Sequence, residues 1–150
     1  MTEMIDDTAL IAAARRAAVH AHAPYSRFAV GAALLLTDGT VITGTNFENA
    51  SYGLSLCAET VATATANAAG RLRDVVAVAI IGGMMADTGI GGTDPILPCG
   101  RYRQVLNEAA QLGGRDLHIF CSGGAGGAIE RYRLSDLLPH AFGPQNLGLG

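Results

Sequence analysis

The spacing of apolar and polar residues predicts a helix followed by a β-hairpin in the first third of the chain. Residues 7–21 carry apolar side chains at helical intervals, and Pro24 lies beyond the end of that run. Asp7 or Thr8 is a suitable N-cap for this helix. Two apolar runs then flank the turn sequence TDGT, in which Gly39 takes the position that needs a positive φ angle. The hairpin strands are predicted over residues 27–36 and 41–47.

The rest of the chain continues to alternate helices and strands. A helix over residues 57–69 is ended by Gly70. The continuous apolar run at 75–82 is typical of a strand that is buried on both faces. The further predictions are a loop at 83–97, a helix from Cys99 to Gly113, strands at 116–122 and 128–134, and a short helix at 135–142. This order predicts a three-layer α/β/α sandwich around a five-stranded mixed sheet.

The helix predicted at 57–69 indicates how the chain assembles. Apart from Cys57, its only ionisable residue is Glu59, and the other residues are Ala, Thr and Val with one Asn. Such a helix has no charged face for water. One interpretation is a central helix in a monomer. We favour burial by other copies of the chain, and hence a compact homo-oligomer.

Composition and charge exclude several classes of protein. The 150 residues are 49% hydrophobic and 15% charged, which is typical of a globular domain and excludes a disordered chain or a coiled coil. The net charge of −3 gives no basic surface for nucleic acid. The acidic N-terminus does not have the pattern of a secretion signal, and the longest apolar run is too short to span a membrane. We therefore expect one cytoplasmic domain over residues 1–150, with neither a nucleic acid nor a membrane as partner.

Two of the three cysteines are candidates for metal binding. An odd cysteine count argues against a disulfide framework, and Cys121, in an apolar strand, is expected to be a core residue. Cys57 and Cys99 each stand at a predicted helix start, where free N–H groups and the helix dipole favour a thiolate. Thiolates are the form that binds zinc. Glu59 lies two residues after Cys57 and so points elsewhere, where it can flank a metal-bound water without being a ligand.

This arrangement is suited to hydrolytic deamination. Zinc lowers the pKa of its bound water and so supplies hydroxide at neutral pH. A neighbouring carboxylate can move the protons that the reaction requires. Zinc deaminases combine a ligand-x-Glu helix start with a later Pro-Cys-x-x-Cys. The corresponding sequences here are CAE, beginning at Cys57, and PCGRY, in which Tyr102 stands where the last cysteine is expected.

Four ordered motifs carry a resemblance to a known family. They are APYSRFAVGAALL, GTNFENASYGLSLCAE, PCGRYRQVLNE and LSDLLPHAFG, and they cover most of the chain. The chain resembles the cytidine deaminases of the small homotetrameric, zinc-dependent class. The resemblance implies a cytidine-deaminase-like fold and the hydrolysis of cytidine or deoxycytidine to uridine or deoxyuridine, a reaction of pyrimidine salvage. It also implies a pyrimidine nucleoside as small-molecule partner and a homotetramer.

The resemblance also implies roles for individual residues. Zn²⁺ is expected at Cys57 and Cys99, with Glu59 as proton shuttle and Tyr102 at the position of the third metal ligand. Phe28 is expected near the nucleoside, and Asn46 and Glu48 at the ribose hydroxyls. Ala58 and the backbone around Leu97 are expected to recognise the base edge, and Phe142 to reach a neighbouring subunit's pocket. The alternation of strand residues predicts that Asn46 and Glu48 share one face of a strand.

Two positions depart from the family pattern. Helical spacing aims position 102 at the same side as Cys99, but a phenol oxygen lies much farther from its Cα than a cysteine sulfur. Phenol is also a weak acid, with an unperturbed pKa of about 10. In addition, many relatives carry an arginine after the glutamate, where it offsets thiolate charge, and this chain has Thr60. Arg103 is a candidate to take over that role, and a solvated helix-surface charge is the alternative.

Three hypotheses remain open at this point. The first, which we favour, is a working zinc-dependent cytidine deaminase. The second keeps the fold and the hydrolysis but changes the substrate to cytidines substituted on the exocyclic nitrogen, because Tyr102 and the loop at 83–97 reshape the pocket. The third is a metal-free nucleoside-binding paralogue without catalysis.

Overall fold

The computed structural model describes residues 4–149, which form four helices and six strands. The helices are α1 (Asp7–Ala18), α2 (Ala58–Ala68), α3 (Gly100–Gly113) and α4 (Leu134–Leu137). The strands are β1 (Phe28–Leu36), β2 (Val41–Thr45), β3 (Val75–Ala86), β4 (Gly89–Ile90), β5 (His118–Gly123) and β6 (Glu130–Arg133). Within these residues, no helix is both long and apolar enough to cross a bilayer. The predicted domain of residues 1–150 also includes residues 1–3 and 150, which lie outside the described residues.

The sheet is mixed, with the strand order β2-β1-β3-β5-β6. Strand β3 pairs with β5 in parallel, and the other neighbours on this path are antiparallel. The short β4 is a sixth strand that pairs only with the end of β3. The predicted five-stranded mixed sheet is thus confirmed, with one short addition.

Helices cover both faces of this sheet, as the element order predicted. On one face, Leu10 and Ile11 of α1 pack with Ile81 and Phe120. On the other face, alanines of α2 and Leu106 of α3 pack with alternate strand residues. Both α2 and α3 therefore lie on the same side of the sheet, which brings their N-termini to one region. The three-layer α/β/α sandwich is confirmed.

Several predicted boundaries are wrong for identifiable reasons. The N-cap of α1 is Asp6, whose carboxylate accepts from the Ala9 N–H at 2.9 Å, and not Asp7 or Thr8. Strand β3 continues to Ala86, because its end pairs with the start of β1 and with β4. The helix predicted at 135–142 is a single turn that ends at Leu137. Leu138 leaves the helical region because Pro139 follows it, and His140 then has a positive φ angle.

Gly44 allows α2 to lie directly against β2. A Cβ atom at position 44 would be 2.5 Å from the backbone N of Ala62 and 2.6 Å from the backbone O of Ala58. Both neighbours are backbone atoms of a helix, so they cannot move aside individually. Any side chain at this position pushes away the helix that carries Glu59.

We expect Gly44→Ala to destabilise the protein by at least about 2 kcal/mol, within the range for overpacked cores. Urea unfolding followed by circular dichroism measures this loss. Gly53→Ala is the matched control, because a Cβ there meets no atom within 4 Å. Equal stabilities of the two variants would contradict the close approach of α2 to β2.

Candidate metal and catalytic site

Two helix N-termini converge at the candidate site. Cys57 is the N-cap of α2 and Cys99 is the N-cap of α3, both with extended backbone angles. Cys57 is half-buried and Cys99 is exposed. Cys99 lies close enough to Cys57 to contribute to the raised pKa of the Cys57 thiol. The structure thus brings together the two cysteines that the sequence indicated as metal ligands.

Glu59 is the buried acid of this site. It lies in the first turn of α2 and is only 3% exposed. Burial raises the pKa of its carboxyl from 4.5 to about 7, against a smaller opposing effect of its own backbone N–H. Among residues 4–149, Glu59 forms no ion pair that would hold it charged. A carboxyl group with a pKa near neutrality can both accept and donate a proton at physiological pH.

Cys57 differs from the expectation for a helix N-terminus. Burial raises its pKa above the ordinary thiol value, and the nearby Glu59 and Cys99 add to this increase. The proximity of the Tyr102 side chain and the positive charge of Arg101 act in the opposite direction but are outweighed. Desolvation thus opposes the thiolate that the helix start was expected to favour at Cys57. A cation is needed to stabilise the anionic form.

Tyr102 lies at the third position of this cluster. It is 8% exposed and lies in the first turn of α3, near Cys57 of the other helix. Burial, followed by the proximity of the Cys57 side chain, raises the pKa of the phenol well above its ordinary value. The group at position 102 is therefore a neutral hydroxyl. This hydroxyl is available as a hydrogen-bond donor.

Two side chains of this site, those of Cys57 and Cys99, are suitable ligands for one zinc ion. Two thiols at converging helix N-termini are soft ligands of the kind that zinc prefers. Within the part of the chain that the structure describes, no group of three or more His, Cys, Asp and Glu side chains is arranged for metal binding. The third protein position of a usual catalytic zinc site is taken by the Tyr102 phenol. The residues therefore suit a cation held by Cys57 and Cys99.

Asn46 has a structural role that the sequence did not indicate. Its side-chain oxygen accepts from the Val30 N–H at 3.0 Å, and its amide nitrogen donates to the Phe28 carbonyl at 2.8 Å. Since β2 ends at Thr45, this side chain continues the pairing along β1 where the strand has stopped. One N–H of the amide is left for a ligand. The predicted strand to residue 47 is shorter in the structure: β2 ends at Thr45, and Asn46 and Glu48 flank Phe47, which lies in isolated bridges.

We expect Asn46→Ala to cost about 2–4 kcal/mol, because two backbone groups of β1 lose their partners. Chemical unfolding measures this cost. Asn49→Ala is a matched control, since the Asn49 side chain accepts from the Ser51 N–H in an exposed loop. A loss no larger than that of the control would show that the Asn46 amide does not support β1.

Glu48 is held by the turn that precedes β1. Its Oε1 accepts from the backbone N–H groups of Tyr25 and Ser26 at 3.0 and 3.1 Å. A hydrogen bond from the Ser26 side chain, with these N–H groups, holds the pKa of Glu48 below its ordinary value. Its second oxygen, Oε2, can accept a further hydroxyl. The anchoring turn gives no signal in the sequence, because it depends on two backbone groups 22 and 23 residues away.

A short bridge joins these two halves of the site. The backbone groups of Phe47 and Leu56 exchange two hydrogen bonds of 2.8 Å. Since Phe47 lies between Asn46 and Glu48, and Leu56 precedes Cys57, the bridge places the candidate ribose-binding segment beside the first metal ligand. The segment of Asn46 and Glu48 and the start of α2 thus lie side by side although they come from different elements.

The remaining predicted residues lie on different parts of the structure. Ala58 is fully buried, and Phe28 is half-buried at the start of β1, against Gly82. Leu97, two residues before Cys99, is partly exposed. The Phe142 ring is 63% exposed, while its carbonyl accepts from Gln104 and Asn107 of α3. The Phe142 backbone is thus fixed, but its ring projects from the surface.

The structure also separates the roles of two arginines on α3. Arg103, the candidate for offsetting thiolate charge, donates to the carbonyls of Pro98 and Leu137 at 2.8 and 2.9 Å. It therefore ties the segment before Cys99 to the end of α4. Arg101 is the arginine whose charge acts on Cys57. Sequence reasoning missed Arg101, because helical spacing alone does not show which neighbour faces another helix.

Comparisons with known proteins agree with this geometry. The family described as the cytidine and deoxycytidylate deaminase zinc-binding region matches residues 1–86. A cytidine deaminase of Halalkalibacterium halodurans is 46% identical over 95% of this chain and 98% of the relative. A cytidine deaminase of Mycobacterium tuberculosis is 44% identical over 89% of this chain and 87% of the relative.

Solved structures give the same result. The crystal structure of a cytidine deaminase from Burkholderia pseudomallei aligns with a TM-score of 0.76 and 43% sequence identity, covering 95% of this chain and all of that chain. A cytidine deaminase structure from Mycobacterium tuberculosis has a TM-score of 0.72 at 40% identity, over 93% of this chain. The chain therefore belongs to the cytidine and deoxycytidylate deaminase family.

Proposed function

We propose that this chain hydrolyses cytidine or deoxycytidine to the corresponding uridine, with release of ammonia. The observation that carries the proposal is the convergence of Cys57, Cys99 and the buried Glu59 at two helix N-termini. A buried acid beside a pair of soft ligands is the arrangement that metal-assisted hydrolysis requires. The comparisons support this function, because named cytidine deaminases match almost the whole chain.

In the mechanism that we propose, each group has a separate task. Cys57 and Cys99 would hold Zn²⁺, which when bound supplies a Lewis acid that brings the pKa of water toward neutrality. The Glu59 carboxylate takes one proton from the attacking water and passes it to the ring nitrogen N3. It then takes the second proton from the hydroxyl that has been added to the ring carbon and passes it to the amine, which leaves as ammonia while the C=O bond forms, so that one buried acid serves each proton transfer. The Ala58 backbone and the backbone around Leu97 are suited to recognise the base edge.

The half of the site that contains Asn46 and Glu48 is suited to bind the ribose of the nucleoside. Oε2 of Glu48 and the remaining N–H of Asn46 are suited to a pair of ribose hydroxyls, an acceptor and a donor respectively. Phe28, which lies near both residues at the start of β1, supplies an apolar wall. Because the backbone anchors Glu48 and Asn46, they require little ordering when a nucleoside binds.

Turnover and metal content test this function. Purified protein supplied with zinc should remove the cytidine absorbance band with release of one ammonia per nucleoside. The same assay with cytidines substituted on the exocyclic nitrogen tests the altered-substrate hypothesis. Failure to convert any of these nucleosides in excess zinc would overturn the proposed function, and absence of zinc from the purified protein would favour a metal-free binding protein.

We further propose that the chain works as a cytoplasmic homotetramer of single 150-residue domains. A groove of about 390 Å³ lies between α2 and α3, and the buried hydroxyls of Thr60 and Thr63 have no hydrogen-bond partner among the described residues. Phe47, Tyr52 and Phe142 are large and exposed near the site. A second copy that covers these groups would remove apolar surface from water. Light scattering should give the mass of four chains, and a monomer would contradict this assembly.

A further inference from the structure

Arg15 is a half-buried arginine that has no task in the proposed reaction. It lies on α1, and its guanidinium reaches the end of β5. Its Nε donates to the Gly124 carbonyl at 3.2 Å, and its Nη2 donates to the Gly123 carbonyl at 3.0 Å. Nη2 also lies 3.4 Å from the Ser122 hydroxyl, to which it donates. Among residues 4–149 no carboxylate pairs with Arg15, so its guanidinium acts on backbone carbonyls and not on an opposite charge.

The end of β5 supports the loop that follows β4. A Cβ atom at Gly123 would be 2.5 Å from the Gly92 carbonyl oxygen. A Cβ atom at Gly124 would be 2.6 Å from the carbonyl oxygen of Gly91. The Ala125 N–H also donates to the Gly92 carbonyl at 2.9 Å. The loop therefore lies directly on the backbone at the end of β5, with no side chain between them.

The same loop continues to the nucleoside half of the proposed site. Residues 92–97 form a segment that we call the pocket rim. Ile96 and the Phe28 ring both lie against Gly82, where an added Cβ atom would contact Ile96 Cδ1 and would be 3.0 Å from Phe28 Cε1. Phe28 is the residue to which we assign the apolar wall, and the backbone around Leu97 is assigned to the base edge. The position of the rim therefore affects both proposed contacts with the nucleoside.

The chemical groups of the site are held independently of Arg15. Pro98, directly after the rim, is fully buried, and its carbonyl accepts from Arg103 at 2.8 Å. Cys99 and Glu59 lie at the starts of α3 and α2, on the opposite face of the sheet from α1. Loss of the Arg15 guanidinium should therefore disturb nucleoside binding more than the proton transfers.

We propose that Arg15 is a positioning residue that fixes the pocket rim for nucleoside binding, through the carbonyls of Gly123 and Gly124. This inference rests on the proposed function, since the rim belongs to the same site. A guanidinium presents several donors in a planar fork and can bind two carbonyls at once, which a lysine ammonium does not reproduce. The fork, and not the positive charge, is the property that position 15 requires.

Kinetics of Arg15→Met and Arg15→Lys test this role. Methionine keeps the apolar part of the side chain and removes every donor, whereas lysine keeps the charge but not the fork. In Arg15→Met the KM for cytidine should rise by about 10–100-fold while kcat changes little, because small misplacements of binding groups act on this scale. Arg15→Lys should retain the greater part of this increase. Arg16→Met is the matched control, because Arg16 is the exposed neighbouring arginine on the same helix.

Hydrogen exchange gives a readout that does not depend on turnover. Amides of the pocket rim should exchange faster in Arg15→Met and Arg15→Lys than in wild type, and those of the central strand β3 should not, because the opening is local. Arg16→Met should match wild type in both regions. Chemical unfolding of the same variants measures any general loss of stability.

Three results would overturn the proposal. They are an unchanged KM in Arg15→Met, unchanged exchange in the rim, and wild-type behaviour of Arg15→Lys, which would make the charge sufficient. Faster exchange throughout the chain, with kcat falling as much as KM rises, would indicate a general structural role and would also overturn it. If wild type binds cytidine but does not convert it, only the proposed function fails, and the dissociation constants of the variants then replace KM. Wild type without affinity for cytidine would contradict both.

Discussion

Glu59→Gln is expected to reduce cytidine turnover by about 10⁴-fold or more, with little change in nucleoside binding. A general acid–base group typically contributes about 10²–10⁴-fold, and here one carboxyl serves several successive proton transfers. Glutamine has the same shape, but it can neither accept nor release a proton at the required position. Steady-state kinetics measure kcat, and equilibrium binding of cytidine measures the affinity separately.

The same substitution should stabilise the metal-free protein at alkaline pH, which separates catalytic loss from misfolding. Burial raises the folded-state pKa of Glu59 from 4.5 to about 7. Below pH 4.5 the carboxyl is protonated in both states and costs nothing, and above pH 7 its buried charge opposes folding. One pKa unit corresponds to about 1.4 kcal/mol, so the gain from glutamine approaches about 3 kcal/mol at pH 8. Chemical unfolding in chelator at pH 4 and pH 8 measures it.

Full turnover in Glu59→Gln would remove Glu59 from the mechanism. A variant that is both inactive and less stable than wild type at pH 8 would point to a structural role for the carboxyl. Glu108→Gln is a suitable control, because Glu108 is an exposed acid on α3. It should leave kcat unchanged.

The parts of the fold that depend on local pattern were predictable from the sequence. The turn at Gly39 has the positive φ angle that the TDGT sequence requires, and α2 and α3 start where Cys57 and Cys99 indicated. Continuous apolar runs predicted buried strands of the sheet. Apolar residues at helical intervals predicted the helices that cover its two faces. Cys121 is fully buried, as its apolar strand predicted, and burial raises the pKa of this thiol to about 12.

The parts that depend on distant contacts were not predictable. The Asn46 side-chain amide hydrogen-bonds with the backbone of β1. Arg103 donates hydrogen bonds to the carbonyls of Pro98 and Leu137. The Tyr102 side chain meets Cys57 because two helices converge, which no spacing within α3 can show. Local sequence was also insufficient for the pKa of Cys57, since burial by surrounding elements raises it.

Replacing either proposed ligand should remove zinc, and this is the second large effect that we expect. In the proposed site, loss of either sulfur leaves a single thiolate, which holds the cation poorly against solvent. Cys57→Ala and Cys99→Ala should therefore lower zinc affinity by more than about 100-fold, beyond the range for outer-shell losses, and turnover should fall with it. Chelator competition measures the affinity, and elemental analysis measures the zinc content per chain.

Cys121→Ala is the matched control, because it removes the third cysteine from the core and not from the site. It should keep one zinc per chain and normal turnover, and lose only about 1 kcal/mol of stability from reduced packing. Loss of zinc in all three variants would show that metal binding follows general stability and not the two helix N-termini. Stoichiometric zinc in Cys99→Ala would place the metal elsewhere and contradict the site built here.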